Sequence, residues 1–145
     1  MANDNQLRVR LVTPERILFE SPADAVELPA KNGYMEVLYG AAPLLAELGA
    51  GDVTIHGAKD SGQGGDTRYN VSWGFVEVLP DRVTILANDA LKPEEIDTSK
   101  ARDQLDRGHK MWNEAGDSEE AYDKALHVIA EAEAKLASAG AGEKH

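Results

Sequence analysis

Through the first ninety residues, apolar and polar positions alternate with a period of two. Leu7, Val9 and Leu11 interleave with Arg8 and Arg10, the pattern of a strand with one wet face. Arg16-Ile17-Leu18-Phe19 follows a break at Thr13-Pro14, and Val26 and Leu28 flank Glu27 before Pro29. Met35, Val37 and Tyr39 come after the turn signal Lys31-Asn32-Gly33, and Val53 and Ile55 after Gly49-Ala50-Gly51-Asp52. The stretch from Gly57 to Asp66, rich in Gly, Ser and Asp, reads as a flexible hairpin tip. Tyr69, Val71 and Trp73 then resume the alternation, but Val76 and Val78 fall out of phase, which predicts a β-bulge at Gly74. Val83 and Ile85, beyond the Pro80-Asp81 turn, form a last strand. Eight or more short strands at this spacing predict a sandwich or barrel.

At Leu91-Lys92-Pro93 the period changes to that of a helix. Ala101, Leu105, Trp112 and Ala115 share one face, with Gly108 as a gap in it. Gly116 supplies a left-handed stop, and Asp117 with Glu120 three residues later reads as the start of a second helix. Tyr122, Ala125, Ile129, Ala132, Leu136 and Ala139 recur at 3-4 spacing, a narrow seam. Two helices joined this tightly run antiparallel. The expected fold is therefore an all-β N-terminal sandwich (residues 1–90) followed by a C-terminal antiparallel α-helical hairpin with a frayed tail (91–145).

Composition narrows the function classes. Of 145 residues 42% are hydrophobic and 28% charged, as in ordinary globular domains. There is no cysteine, so disulfides and thiolate metal sites play no part. The net charge of −11 is shared: residues 1–93 carry 8 basic and 13 acidic side chains, and residues 94–145 carry 7 and 13. Such a chain disfavours nucleic acid and anionic lipid, both of which are bound by neutralising phosphates. No apolar run reaches the roughly 18–20 residues of a membrane span, and the polar start from Met1 to Gln6 does not read as a signal peptide.

No catalytic constellation and no metal site emerge, and nothing asks for a cofactor. His56, His109, His127 and His145 are scattered without ligand spacing, and they read as surface or edge histidines. Gly57–Gly65 precedes a strand rather than a helix, so it lacks the helix N-terminus that would receive phosphate. Two local patterns stand out. One runs from Gly33-Tyr34-Met35 through Tyr39-Gly40-Ala41-Ala42-Pro43-Leu44-Leu45; the other runs from Val71 to Val78 and is followed by Asp81-Arg82-Val83-Thr84-Ile85-Leu86-Ala87. Turn chemistry explains Gly40, Pro43 and Gly74 by itself, yet the apolar residues around Gly40 also have the character of an interface.

Taken in order, these segments resemble the epsilon subunits of F-type ATP synthases. The resemblance is carried by Val12-Thr13-Pro14-Glu15, Leu28-Pro29 to Gly33, Gly40 to Leu45, the Gly74-Phe75-Val76-Glu77-Val78 hairpin, Asp81 to Ala87 and the Ala-rich helix pair. It spans residues 7 to about 139. It implies a non-catalytic rotor subunit of the central stalk, peripheral on the cytoplasmic face of the bacterial inner membrane. The implied partners are the gamma subunit, the membrane rotor ring and, transiently through the hairpin, the catalytic subunits. It places a ring-facing loop at Gly33, Tyr34, Tyr39, Gly40, Ala41 and Pro43. The family's Glu, Pro and His stand here as Tyr34, Tyr39 and Ala41, so the implied contact is aromatic and apolar. It also places an ATP-binding position at Asp97, Lys100 and Ala101, with lysine where the family motif has arginine; the same Asp97 reads as a helix N-cap. The second helix, Asp117 to Ala139, carries two lysines against six acids, which implies weak or absent inhibition of ATP hydrolysis. The other functions open to this sequence are a nucleotide-sensing module and a β-sandwich adaptor of another complex.

Overall fold

The computed structural model describes residues 6–58 and 65–143, with side chains through residue 140. The expected hairpin tip therefore lies outside the described residues except at Gly57–Ala58 and Gly65–Asp66. Residues 1–5 and 144–145 lie outside them too. The chain divides into two compact units between Leu91 and Lys92.

Among the described residues the first unit has seven strands: β1 (Leu7–Val12), β2 (Ile17–Ala23), β3 (Ala25–Ala30), β4 (Gly33–Leu38), β5 (Leu44–His56), β6 (Thr67–Leu79) and β7 (Arg82–Leu91). They form one ladder in the order β2-β1-β7-β6-β5-β3-β4, parallel between β1 and β7 and antiparallel elsewhere. The ladder is folded over. β6 and β2 are three strand spacings apart in it, about 14 Å if it were flat. Yet the Tyr69 hydroxyl donates to the Leu18 carbonyl at 3.3 Å, and the Tyr69 and Phe19 rings meet edge to face at 6.3 Å. Leu7, Val9, Val26, Leu28, Val53, Ile55, Val71 and Ile85, drawn from strands across the whole order, share one core. The result is the two-layered sandwich the alternation predicts, built from a single ladder.

Two details of this unit differ from the sequence expectation. Among the described residues the strands number seven: β6 runs for 13 residues unbroken past Gly74, and β5, also of 13 residues, extends the Val53–Ile55 strand back to Leu44. The phase change at Gly74 is not a bulge. Ser72 and Gly74 keep one register against Ala50 and Leu48 on β5, and against Asp89 and Ala87 on β7, so no residue is inserted. Instead Trp73 and Gly74 both have positive φ, 61° and 133°, which turns the following side chains to the other face. Gly74 is required there, because a Cβ would run into the Leu86 carbonyl.

The second unit opens with a 3-10 turn (Pro93–Glu95), followed by α1 (Thr98–Glu114) and α2 (Glu119–Glu143). Gly116 is left-handed at φ 61°, as a helix stop requires. The start of α2 is one residue later than the sequence suggests: Ser118, not Asp117, caps it, its Oγ accepting from the Ala121 amide at 3.1 Å. α2 continues past Gly140 to Glu143, into the segment the sequence assigns to the tail. Along the seam Ala101, Gly108 and Ala115 are buried on the first helix and its cap, and Ala125, Ala132 and Ala139 on the second.

Candidate interface loop

β4 ends at Leu38, and five residues carry the chain to β5 at Leu44. Gly40 takes φ 91°, a conformation that disfavours any side chain although nothing lies near its Cβ position. Its amide donates to the Pro80 carbonyl at 2.6 Å, tying the loop to the β6–β7 turn, and the Ala41 amide closes a turn onto the Leu38 carbonyl at 3.2 Å. Around this anchored backbone Leu38, Tyr39, Leu44 and Leu45 stand exposed, Leu45 by 70%. Ala41 leans on the edge of the core, and Pro43 is exposed. A backbone held by hydrogen bonds presents its apolar side chains at little further entropic cost. That suits a contact surface and gives no means of acting on a substrate.

The structure does not gather the expected ring-facing residues in one place. Tyr39, Gly40, Ala41 and Pro43 lie together, but Gly33 and Tyr34 sit at the opposite end of β4, about 16 Å away at the usual rise per residue. Tyr34 has a structural role there. The β3–β5 register shifts between Glu27 and Ala30, which opens the ladder opposite Asp52. The Asp52 amide donates instead to the Tyr34 hydroxyl at 2.9 Å. Gly51 lies under that hydroxyl, where a Cβ would collide with it. Leu38 and Leu45 belong to the exposed set without having been singled out. The adjacent pair Leu44-Leu45 held the signal, since neighbours on a strand point to opposite faces.

Asp97, Lys100 and Ala101 occupy the first turn of α1. The Asp97 carboxylate accepts from the Lys100 amide at 3.2 Å, the geometry of an N-cap, and its carbonyl accepts from the Ala101 amide at 3.0 Å. Asp97 and Lys100 are exposed, while Ala101 is buried in the seam. Among the described residues no group of three His, Asp or Glu side chains converges to hold a metal. His56 does meet two carboxylates, Glu27 at 2.7 Å and Asp66 at 3.0 Å, but on opposite ring nitrogens.

Residues 6–93 match the family model for the β-sandwich domain of the ATP synthase delta/epsilon chain. An ATP synthase epsilon chain of Solibacter usitatus is 40% identical over 92% of this chain and 95% of its own length. The chain belongs to the ATP synthase epsilon family. A second epsilon chain, from Moorella thermoacetica, is 36% identical over 93% of this chain and 97% of its own. Epsilon chains are accessory subunits of the central stalk and are not themselves catalytic. A chain in the Euglena gracilis mitochondrial ATP synthase has the same fold, with a TM-score of 0.76 over 95% of this chain and 84% of that one at 21% identity. No helix among the described residues is long and apolar enough to cross a membrane.

Proposed function

We propose that this epsilon chain couples rotation of the membrane ring to ATP synthesis by holding the ring to the gamma subunit. It would do so at the cytoplasmic face of a bacterial inner membrane, where its bacterial relatives would place it. One observation carries the reading: the Leu38–Leu45 loop is apolar, exposed and pinned by the Gly40–Pro80 hydrogen bond. An element that transmits torque needs stiffness under the contact and apolar area upon it. On this reading Tyr39, Gly40, Ala41 and Pro43 face the ring together with Leu38 and Leu45, whereas Gly33 and Tyr34 keep β4 in place.

The test is in the assembled enzyme. Replacing Tyr39 and Leu45 by serine is expected to lower proton-driven ATP synthesis several-fold while soluble ATP hydrolysis stays unchanged. Coupled synthesis at the unaltered rate would remove the loop from the ring contact.

The hairpin reading rests on charge. Two lysines against six acids between Asp117 and Ala139 leave α2 poorly suited to acidic loops of the catalytic subunits. Deleting residues 94–145 should therefore leave ATP hydrolysis nearly unchanged, and a several-fold rise would refute the charge argument. Nucleotide sensing through Asp97, Lys100 and Ala101 gains no support, because the cap already accounts for the Asp97 carboxylate.

A further inference from the structure

The first unit holds an open cleft of about 370 Å³, lined by Arg8, Arg10, Glu20, Glu77, Arg82 and Thr84 among others. That volume lies at the small end of ligand pockets, which run from roughly 300 to 1,000 Å³. Residues directly opposite in a ladder share a face. Glu20, Arg10, Thr84 and Glu77 are opposite one another in turn across β2, β1, β7 and β6, and Arg8 is opposite Arg82 in the next row. The carboxylates thus stand at the two ends of the row and the arginines on the two central strands. A chain of net charge −11 places three of its seven arginines together there.

Nothing in the fold asks for that arrangement. Like charges directly opposite destabilise a sheet, so Arg8 and Arg82 cost stability where they stand. Among the described residues Arg82 makes no ion pair. Glu20 is shared between Arg8 and Arg10, but at 3.8 and 3.7 Å, beyond hydrogen-bond length. All three guanidiniums therefore keep their donors for something outside the chain. One solvated surface arginine is ordinary; three around one cleft are not.

We infer that this cleft binds an oligophosphate, with inorganic diphosphate as its smallest full ligand. Arginine offers a planar fork that pairs bidentately with phosphate oxygens. The Cα atoms of Arg8 and Arg10 are about 6.6 Å apart along β1, and Arg8 and Arg82 are about 4.8 Å apart across the ladder. Forks spread over that triangle address more oxygens than one phosphate presents on one side, and two linked phosphates meet all three. Thr84, opposite Arg10, adds a hydroxyl beside them. Among the described residues no aromatic ring lines the cleft, so a base has nothing to stack on and the recognised group is phosphate itself. The overall negative charge that disfavours nucleic acid and anionic lipid weighs less on a small anion. It meets the charge within a Debye length of about 8 Å, whereas a duplex or a membrane faces the whole acidic chain.

The test uses the free full-length chain at physiological salt. Calorimetric titration with diphosphate is expected to show one site per chain, with orthophosphate weaker by about tenfold. Arg82→Gln should weaken diphosphate by about tenfold, and Arg82→Lys, which keeps the charge and loses the fork, severalfold. Glu20→Gln should tighten it severalfold by removing the internal competitor. Arg107→Gln, the same change of charge on α1, should leave it unaltered. In NMR spectra the amides of Arg8, Arg10, Arg82 and Thr84 should shift, and those of Asp97, Lys100 and Ala101 should not. Vesicles containing phosphatidic acid separate a lipid headgroup from a free anion: the chain should stay in solution beside them.

Absence of heat at millimolar diphosphate overturns the inference. So do equal losses in Arg82→Gln and Arg107→Gln, shifts confined to Asp97–Ala101, and capture by vesicles without binding of free diphosphate. None of these results touches the stalk reading, which concerns the loop from Leu38 to Leu45. Arg82→Gln relieves the repulsion from Arg8, so its melting temperature should equal or exceed that of wild type, and its lost affinity is then not lost fold. Should it melt lower, Arg82→Lys and Glu20→Gln decide: unchanged affinity in both overturns the site, and opposite shifts sustain it.

Discussion

The sandwich and the hairpin bury themselves by opposite means. In the sandwich the fully buried positions are large: Leu7, Leu11, Leu28, Ile55 and Ile85 among others. In the hairpin they are small. Ala101, Gly108 and Ala115 recur every seven residues, as do Ala125, Ala132 and Ala139. Small residues bring backbones close, and Gly108 shows how close: a Cβ there would lie 2.7 Å from Ile129 Cγ1 and 3.2 Å from Val128 Cγ1. Close approach, however, is not apolar area. A buried leucine is worth about 1.5–3 kcal/mol, and a buried methyl only about 0.8 kcal/mol. The sandwich is therefore the reservoir of stability and the hairpin the unit that opens first. That division suits the proposed coupling role, which calls for a stiff head.

The largest expected effect lies in the sandwich. Leu28→Ala removes a side chain with no exposed surface from the middle of β3. It should cost about 2–5 kcal/mol in urea unfolding followed by β-sheet circular dichroism. A loss below 1 kcal/mol would mean that this core yields as easily as an alanine seam, and the contrast between the units would fail.

Next in size is Gly108→Val, which drives a branched side chain into the Ile129 contact. A cost of about 1–3 kcal/mol is expected, confined to the hairpin. Hydrogen exchange should speed up at the amides of α1 and α2 and stay unchanged in β1 through β7. Trp112 and Tyr122, edge to face at 4.7 Å across the turn, supply an independent fluorescence signal. Equal acceleration in both units would show that they open as one.

The same contrast explains what the sequence made legible. The period of two located the strands because one face of each is packed with large side chains, and the 3-4 seam located both helices. The first half of β5 escaped because Leu44-Leu45 breaks the alternation: the strand begins beyond the core, with both residues exposed. The out-of-phase Val76 announced something at Gly74, but an inserted residue and a pair of positive φ angles produce the same pattern. Asp117 and Ser118 are both good caps one position apart, and only the turn geometry chooses between them. In the candidate site, Asp97 could be read as a cap from its place before the helix. The Gly33–Pro43 set could not be resolved, because residues close in sequence become the two ends of a strand.

The smallest effect sharpens the comparison from the side of charge, and it concerns where the long connection after β5 meets the sandwich. His56 sits between Glu27 on β3 and Asp66 just before β6. Its pKa is raised above 6.5, chiefly by the hydrogen bond to Glu27, with Asp66 adding to it and partial burial opposing. The folded chain thus holds this proton more tightly than the unfolded one. The stabilisation is complete below about pH 6.5 and is lost as pH rises through the raised folded value. His56→Gln should therefore lie furthest below wild type in stability on the acid side and approach it above neutrality. Because the ring is 31% exposed, solvent screening keeps the difference small. Proton titration followed by NMR separates the two carboxylates: Glu27→Gln should return the His56 pKa further toward 6.5 than Asp66→Asn, as the 2.7 Å contact outweighs the 3.0 Å one. The reverse order would put the stronger hold on the connection, and the sandwich would then be fastened there by charge rather than by its core.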